Sequence, residues 1–411
     1  MNLDLREKMD LLGQAARFDD LVLWRDVDCG QSSSPAKPRS RAPDLLPYVS
    51  HVTAPDGRRR PIMKVLQTSV CQNNCRYCAF RSGRDLRRAS FSPEELARGF
   101  DLLYRAGIVQ GLFLSSGLAG SPQSMDTMLA TATLVREKLE FRGYLHLKLL
   151  PGAEDDQIRE AVRLADRVSA NLEAPSKSAL HRLAPSKKMA ELVHSLQVAT
   201  SLSRPSGERP ALGAGRLGVS TQFVVGPAGE SDRDLLITAE RLYRENGLAR
   251  AYFSAFSPVT GTPLADEPPT EPVREYRLYQ ADFLLRRYGF SAAELPFVSD
   301  GLLQAGLDPK SAWAQAHPEF FPVELNRASL PELLRVPGIG PVSARAILKL
   351  RAHSPMRDLG DLRRIGVRPG SAAPYVLISG IRPGRQLAFP GFRSEPGEVG
   401  LQPSLSIGSA Q

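Results

Sequence analysis

The sequence predicts an α/β fold, an open, partial (β/α)6 barrel followed by a small all-α unit. Three observations carry this expectation. Between Ile62 and about residue 288, short apolar runs alternate six times with amphipathic stretches, the pattern of parallel βα units. A closed eight-stranded barrel needs two more units than the chain supplies. After residue 323 the strand-like runs stop, and two short helical stretches flank a glycine-rich turn.

Residues 1–25 read as a helix, with Leu5, Met9, Leu12 and Ala16 at helical spacing, inside an N-terminal segment 1–28. Residues 29–60 begin CGQSSSPAKPRSRAP, which is too poor in apolar side chains to offset the cost of ordering, and read as a flexible basic linker. The barrel, 61–290, opens with the strand IMKVLQTSV. SPEELARGFDLLYRAG is the first helix, where Ser92 caps, Pro93 stands in the first turn and Glu95 completes a capping box. GLFLSS, YLHLKLL, RVSANLE, GVSTQFVV and ARAYFSAF read as the later strands. The later helices fall near 123–139, 154–164, 177–200, Ser231–Asn246 and 272–288. Residues 291–322 carry Pro296, Pro309, Pro318 and Pro322 among aromatic residues and read as an irregular connection. Residues 323–384 form the all-α unit, and 385–411, rich in Gly, Pro and Ser, read as a disordered tail.

With 411 residues and 42% hydrophobic side chains the chain can bury large cores in two or three domains. No run approaches ~18 uninterrupted apolar residues, and no apolar signal segment stands at the start, so the expectation is a cytoplasmic protein without a membrane span. The formal charge of +9 points to polyanionic partners. From Pro322 onward twelve Arg or Lys face six Asp or Glu, so most of that excess is C-terminal.

Of four cysteines, Cys71, Cys75 and Cys78 stand together in CQNNCRYCAF, directly after a strand. Thiolates so spaced can converge on one face of an iron–sulfur cluster, and the missing fourth ligand leaves one iron open. A tetrahedral zinc site wants four ligands, and neither Cys29 nor His51, across the linker, supplies a convincing fourth. A disulfide framework belongs to small secreted chains. The CxxxCxxC spacing, with aromatic Tyr77 before the last cysteine, resembles the signature of the radical S-adenosylmethionine superfamily, which uses a partial (β/α)6 barrel. That resemblance implies a [4Fe–4S] cluster held by Cys71, Cys75 and Cys78, S-adenosylmethionine on the open iron, and Tyr77 near the adenine. It further implies reductive cleavage of S-adenosylmethionine to a 5′-deoxyadenosyl radical, fed by an electron donor such as flavodoxin or ferredoxin. Cys29 alone cannot hold an auxiliary cluster, so sulfur insertion is disfavoured.

Ligand contacts in such a barrel belong at the carboxyl ends of the strands. Ser115, Ser116 and Gly117 end the second strand, where the superfamily often carries Gly-Gly-Glu; the run is either a methionine contact or an ordinary turn. Asn171 and Glu173 end the fourth strand in NLEAPS, on one side of it by the period of two, and the run resembles the ribose-binding Asn-x-Asp of biotin synthase, with Glu in place of Asp. His146 and Lys148 share one face of the third strand by the period of two, and point either to the ligand or to a helix. Gly226 and Gly229 follow the fifth strand, as an adenine contact or as plain turn chemistry.

The second feature is ELNRASLPELLRVPGIGPVSARAILKLR, which resembles a helix-hairpin-helix. The turn Val336-Pro337-Gly338-Ile339-Gly340 leaves amides at a helix start, where phosphate oxygens bind, and Ser343, Arg345 and Lys349 can add contacts to a nucleic-acid backbone. Ala344 suits the helix crossing, and RDLGDLRRIGV reads as a degenerate second hairpin. A purely structural turn is the alternative. Taken together, the N-terminal helix, the cysteine loop, FLSSG, NLEAPS, FPVELNRAS and VPGIG resemble the DNA modification or repair radical S-adenosylmethionine proteins, a family often encoded beside a uracil-DNA-glycosylase-like partner. The resemblance implies an enzyme acting on DNA. Action on RNA, and a non-enzymatic iron–sulfur adaptor that recruits the glycosylase-like partner, are the alternatives.

Overall fold

The computed structural model describes residues 3–17, 46–53, 58–120, 122–203 and 218–383. Cys29, most of the linker 29–60 and the whole tail 385–411 lie outside them.

A seven-stranded sheet in the order β1 to β7 forms the barrel wall. Its strands are β1 (Val49–Thr53), β2 (Arg59–Leu66), β3 (Gly111–Ser115), β4 (Tyr144–Lys148), β5 (Arg167–Ser169), β6 (Gly218–Val225) and β7 (Arg250–Ala255). The six from β2 to β7 are parallel, as the alternation predicts. β1 is an addition: it lies inside the segment read as linker and pairs antiparallel with β2, Val49 opposite Met63. Its sequence, VSHVT, is short and half-polar, a weak signal that acquires order from the neighbouring strand edge.

Helix α1 (Leu5–Arg17) buries Met9, Leu12 and Ala16. Lys8 closes a 2.7 Å ion pair with Glu95 at the start of α2 (Pro93–Arg105). The expected capping box of α2 is present, Ser92 accepting from the Glu95 amide and Glu95 from the Ser92 amide; such caps contribute about 1 kcal/mol. Then follow α3 (Gln123–Thr133), extended by a π turn Leu134–Lys138, and α4 (Asp155–Leu164). The helix expected over 177–200 is two helices, α5 (Lys177–Leu183) and α6 (Met189–Ser203), because Pro185 cannot continue α5. Helices α7 (Asp232–Arg241), extended by a π turn Leu242–Asn246, and α8 (Pro272–Arg287) complete the layer.

Along each strand the outward residues are apolar and fully buried under the helices, as with Met63, Val65, Leu112, Leu114, Leu145 and Leu147. The inward face is polar: Lys64 and His146 are buried there. His146 makes a 2.8 Å contact to Ser169, and burial, with Arg167, Lys148 and Lys64 nearby, holds its imidazole well below the ordinary value and hence neutral.

The connection after α8 is more regular than its prolines suggest. It contains α9 (Pro309–Ala316), capped by Asp308, whose side chain accepts from the Lys310 and Ser311 amides, with Pro309 at the first position where a missing N–H costs nothing. Beyond it come β8 (Val323–Glu324), α10 (Leu330–Arg335), α11 (Pro341–Arg351), α12 (Leu359–Arg364), α13 (Pro369–Ala372) and β9 (Val376–Leu377). The unit is therefore not wholly helical: β8 and β9 pair in parallel, Val323 opposite Val376.

Candidate functional site

The carboxyl ends of the strands meet the cysteine loop around one cavity. Its lining includes Cys71, Cys75, Cys78 and Tyr77 from the loop, Leu66, Ser115, Ser116 and Gly117 from β2 and β3, Lys148 from β4, and Asn171, Glu173 and Lys187. All three thiols are free of disulfides.

The loop has little regular structure, so its carbonyls need other partners. Two arginines supply them. Arg88 donates to the carbonyls of Ser69, Phe80 and Arg81 at 2.6, 2.9 and 3.1 Å. Arg84 donates to Ala79 at 2.8 Å and to Thr260 at 2.7 Å. On the other side the Arg76 amide donates to Leu183 at 2.7 Å, and Ser186 bonds both Asn73 and Asn74. The break between α5 and α6 is thus tied to the cysteine loop.

Gly117 explains why the turn after β3 lacks a side chain. A Cβ there would stand 2.2 Å from the Val70 carbonyl oxygen. With glycine, its amide donates to Thr68 at 2.8 Å, Gln72 donates to Leu118 at 2.7 Å, and the Leu118 amide reaches the Cys71 sulfur at 3.5 Å.

Burial pushes the Cys78 thiol up to about 12 and raises that of Cys75, while Lys187 pulls both down. The Phe80 amide lies 3.4 Å from the Cys78 sulfur and opposes the rise. Among the described residues no three His, Cys, Asp or Glu side chains are arranged to hold a single metal ion as they stand. A cluster makes a different demand, since its thiolates bind separate irons. Three uncrosslinked thiols on one braced loop, open to a shared cavity, suit that donor set.

Glu173 and Lys187 form the other half. Glu173 sits at φ +67°, a left-handed conformation that strains a non-glycine residue. Its buried Oε1 accepts from Lys187 at 2.7 Å, the two side chains being 2% and 10% exposed. Burial alone would lower the Lys187 ammonium, but Glu173, with Cys75 and Cys78, outweighs it and holds the group above its ordinary range. The second carboxylate oxygen, Oε2, is buried with no hydrogen-bond partner. Such an atom is costly unless a ligand meets it. Tyr77 lies beside this carboxylate, and burial, with Glu173 and the thiols adding, raises its phenol well above the usual value.

The structure brings together Cys71, Cys75, Cys78, Tyr77, Ser115, Ser116, Gly117, Lys148, Asn171 and Glu173. It does so by a different route for two of them, because β5 ends at Ser169 and the period of two does not reach Asn171 and Glu173. Gly226 is not among the residues that line the cavity; a Cβ on it would meet Thr270 Oγ1 at 2.0 Å, and its amide donates to Glu230. Lys187 is a residue that sequence reasoning missed, although its signal, a lysine two residues after a helix-breaking proline, is present in LAPSKK.

In the C-terminal unit the side chains of Val336 and Ile339 are core, 0% and 1% exposed, so the turn presents its backbone rather than these side chains. Gly338 adopts φ +81°, and a Cβ there would press to 2.9 Å on Ser371, where α13 packs on the turn. Gly340 caps α11, Ala344 is buried at the helix crossing, and Arg345 and Lys349 are exposed, with Ser343 half-buried. The unit is anchored just after the end of α8. Arg335 pairs with Glu294 at 2.9 Å and stacks on Phe290 at 3.8 Å, while Lys310 donates to the Ile339 carbonyl at 2.5 Å. In a parallel βα unit that end of α8 is remote from the strand carboxyl ends, and 16 residues of helix span about 24 Å.

Residues 65–242, less than half of the chain, match the model of the radical SAM superfamily. This part of the chain, from the end of β2 to α7, resembles a radical SAM domain. Residues 320–367 match the helix-hairpin-helix motif. The chain thus joins a region that resembles radical SAM domains to a match to the hairpin motif. Among solved structures it is similar to the [FeFe]-hydrogenase maturase HydG from Carboxydothermus hydrogenoformans, at 13% identity and TM-score 0.43 over 54% of this chain and 50% of that one. It is similar also to methylornithine synthase (PylB), at 15% identity and TM-score 0.42 over 54% of this chain and 60% of that one. A radical SAM methyltransferase from Sphaerobacter thermophilus matches at 16% identity and TM-score 0.42, over 69% of this chain and 92% of that one. The chain spans about half the length of HydG. Among the described residues no helix is long and apolar enough to cross a membrane.

Proposed function

We propose that Cys71, Cys75 and Cys78 hold a [4Fe–4S] cluster whose open iron takes S-adenosylmethionine, and that the enzyme acts on nucleic acid, DNA being the first candidate, in modification or lesion repair. A cytoplasmic setting, an electron donor such as flavodoxin or ferredoxin and a glycosylase-like partner complete the reading. The observation that carries it is the cavity where three free thiols face an unpartnered carboxylate oxygen. When bound, the cofactors would supply one-electron cleavage of S-adenosylmethionine and abstraction of a hydrogen atom from substrate.

The chain's own residues bind and orient. Glu173 Oε2 offers an acceptor for a ribose hydroxyl or an ammonium, and Lys187 holds that carboxylate in one orientation. Asn171 can add a further contact to the ribose, Tyr77 can pack against the adenine, and Lys148 can meet the ligand carboxylate. The backbone after β3, where the Ser116 hydroxyl donates to the Gly117 carbonyl at 2.7 Å, can receive the methionine amino group.

The hairpin supports the nucleic-acid half through the α11 N-terminus and the exposed Arg345 and Lys349. Its anchorage about 24 Å of helix away from the strand carboxyl ends changes the picture of a hairpin feeding the barrel mouth directly. A target at the cavity would lie several base pairs along the duplex, flipped or single-stranded to enter. The test is anaerobic reconstitution with dithionite and S-adenosylmethionine, with and without DNA or RNA. The reading expects 5′-deoxyadenosine, in greater yield with its preferred nucleic acid; a yield indifferent to both would remove the nucleic-acid half.

A further inference from the structure

A second cavity, of about 410 Å³, lies at the barrel end remote from the cysteines, where the π turn after α7 meets the last turn of α8. Arg244, Arg286 and Arg287 line it with Glu240 and Tyr243. The guanidinium of Arg286 is held by the fully buried carboxylate of Asp282 at 2.8 Å, and Tyr243 donates to the other oxygen of that carboxylate. Arg244 pairs with Glu240 at 2.6 Å, and Glu240 is itself held by the Ala292 amide at 3.0 Å. Arg287 is exposed. Three guanidiniums and one carboxylate, Glu240, line the groove, and two of these guanidiniums are oriented by the acids behind them, Arg244 by Glu240 and Arg286 by Asp282.

The groove adjoins the hairpin. Arg287 precedes Tyr288, and a Cβ on Gly340, the cap of α11, would lie 3.1 Å from the Tyr288 hydroxyl. Ala292, bonded to Glu240, belongs to the turn whose Glu294 pairs with Arg335 of the first hairpin helix.

We propose that this groove is a second backbone site, in which Arg244 and Arg287, backed by Arg286, contact phosphates of the nucleic acid whose neighbouring phosphate is held at the α11 N-terminus. It rests on the nucleic-acid reading above and gives that reading a direction, across the lower end of the barrel. Guanidinium suits this role because its planar set of donors matches phosphate oxygens.

The experiment is fluorescence anisotropy of the full chain with labelled duplexes of about 30 and about 8 base pairs over a series of salt concentrations. Arg244→Ala/Arg287→Ala is expected to weaken binding of the long duplex about tenfold near 0.1 M salt and to make the slope of log K against log[salt] shallower by about two. The short duplex, about 27 Å long at ~3.4 Å per base pair, still spans the hairpin and the adjoining groove, so the penalty should persist on it. Arg345→Ala/Lys349→Ala should weaken both duplexes. If the groove variant matches wild type on the long duplex while the hairpin variant loses affinity, the groove is overturned and the nucleic-acid reading stands. A loss of affinity in the groove variant with an unchanged salt slope would also overturn it, since the lost contacts are then not contacts to phosphate. If the wild type binds neither DNA nor RNA, the nucleic-acid reading falls and the groove with it.

Discussion

Alanine at Cys75 is expected to abolish cluster assembly and every trace of 5′-deoxyadenosine formation, while leaving the apo fold nearly intact. The reasons are separable. The residue is 6% exposed and joins the apolar core, where a free thiol behaves as a small hydrophobic group, so its loss costs stability only on the order of 1 kcal/mol. Its chemical role has no substitute. The braces from Arg84, Arg88 and Ser186 still shape the loop, but two thiols would remain where the reading needs three. Iron content and visible absorbance after anaerobic reconstitution check this, with a thermal melt of the apo protein as control. Cys71→Ala and Cys78→Ala should behave alike, and Cys29→Ala should retain its iron. A Cys75→Ala protein with wild-type iron and activity would place the cluster elsewhere.

Lys187→Met is expected to have the largest effect on stability, about 3–5 kcal/mol, because it leaves Glu173 charged and uncompensated in the cavity wall. The strained backbone at Glu173 adds to that sensitivity, since the ion pair is one of the contacts that hold it. The double variant Lys187→Met/Glu173→Gln removes both charges and should recover most of the lost stability, yet still bind S-adenosylmethionine poorly, as the acceptor pair has gone. Urea denaturation and ligand titration together separate the two effects. The sign with pH follows from the raised ammonium: its contribution is fully present below the unfolded lysine value of about 10.4 and fades only as pH rises through the folded one. The wild-type pair should therefore be insensitive to pH across the neutral range. A single variant as stable as wild type would show that the pair is not what holds Glu173.

Much of the barrel was legible because its code is local. Apolar runs alternating with amphipathic stretches name six parallel strands, and Ser92 with Glu95 names a helix start without reference to the rest of the chain. The cysteine spacing was equally local. What escaped was set by partners distant in sequence. β1 acquires its order from β2, and the turn after β3 requires glycine because Val70 passes behind it. Glu173 reaches the cavity by a left-handed turn and not by strand alternation, while Lys187 reaches it because Pro185 splits a helix whose apolar spacing reads as continuous. The hairpin shows the converse. The side chains of Val336 and Ile339 belong to its motif but are buried, so the exposed Arg345 and Lys349 carry the side-chain case for nucleic acid.

The central claim is an open iron that takes S-adenosylmethionine beside Glu173. Electron paramagnetic resonance of the reconstituted, dithionite-reduced protein tests it most directly, recorded during titration with S-adenosylmethionine. The account predicts a changed cluster spectrum that saturates with the ligand and is lost in Glu173→Gln. A reduced cluster whose spectrum is the same with and without S-adenosylmethionine would contradict it.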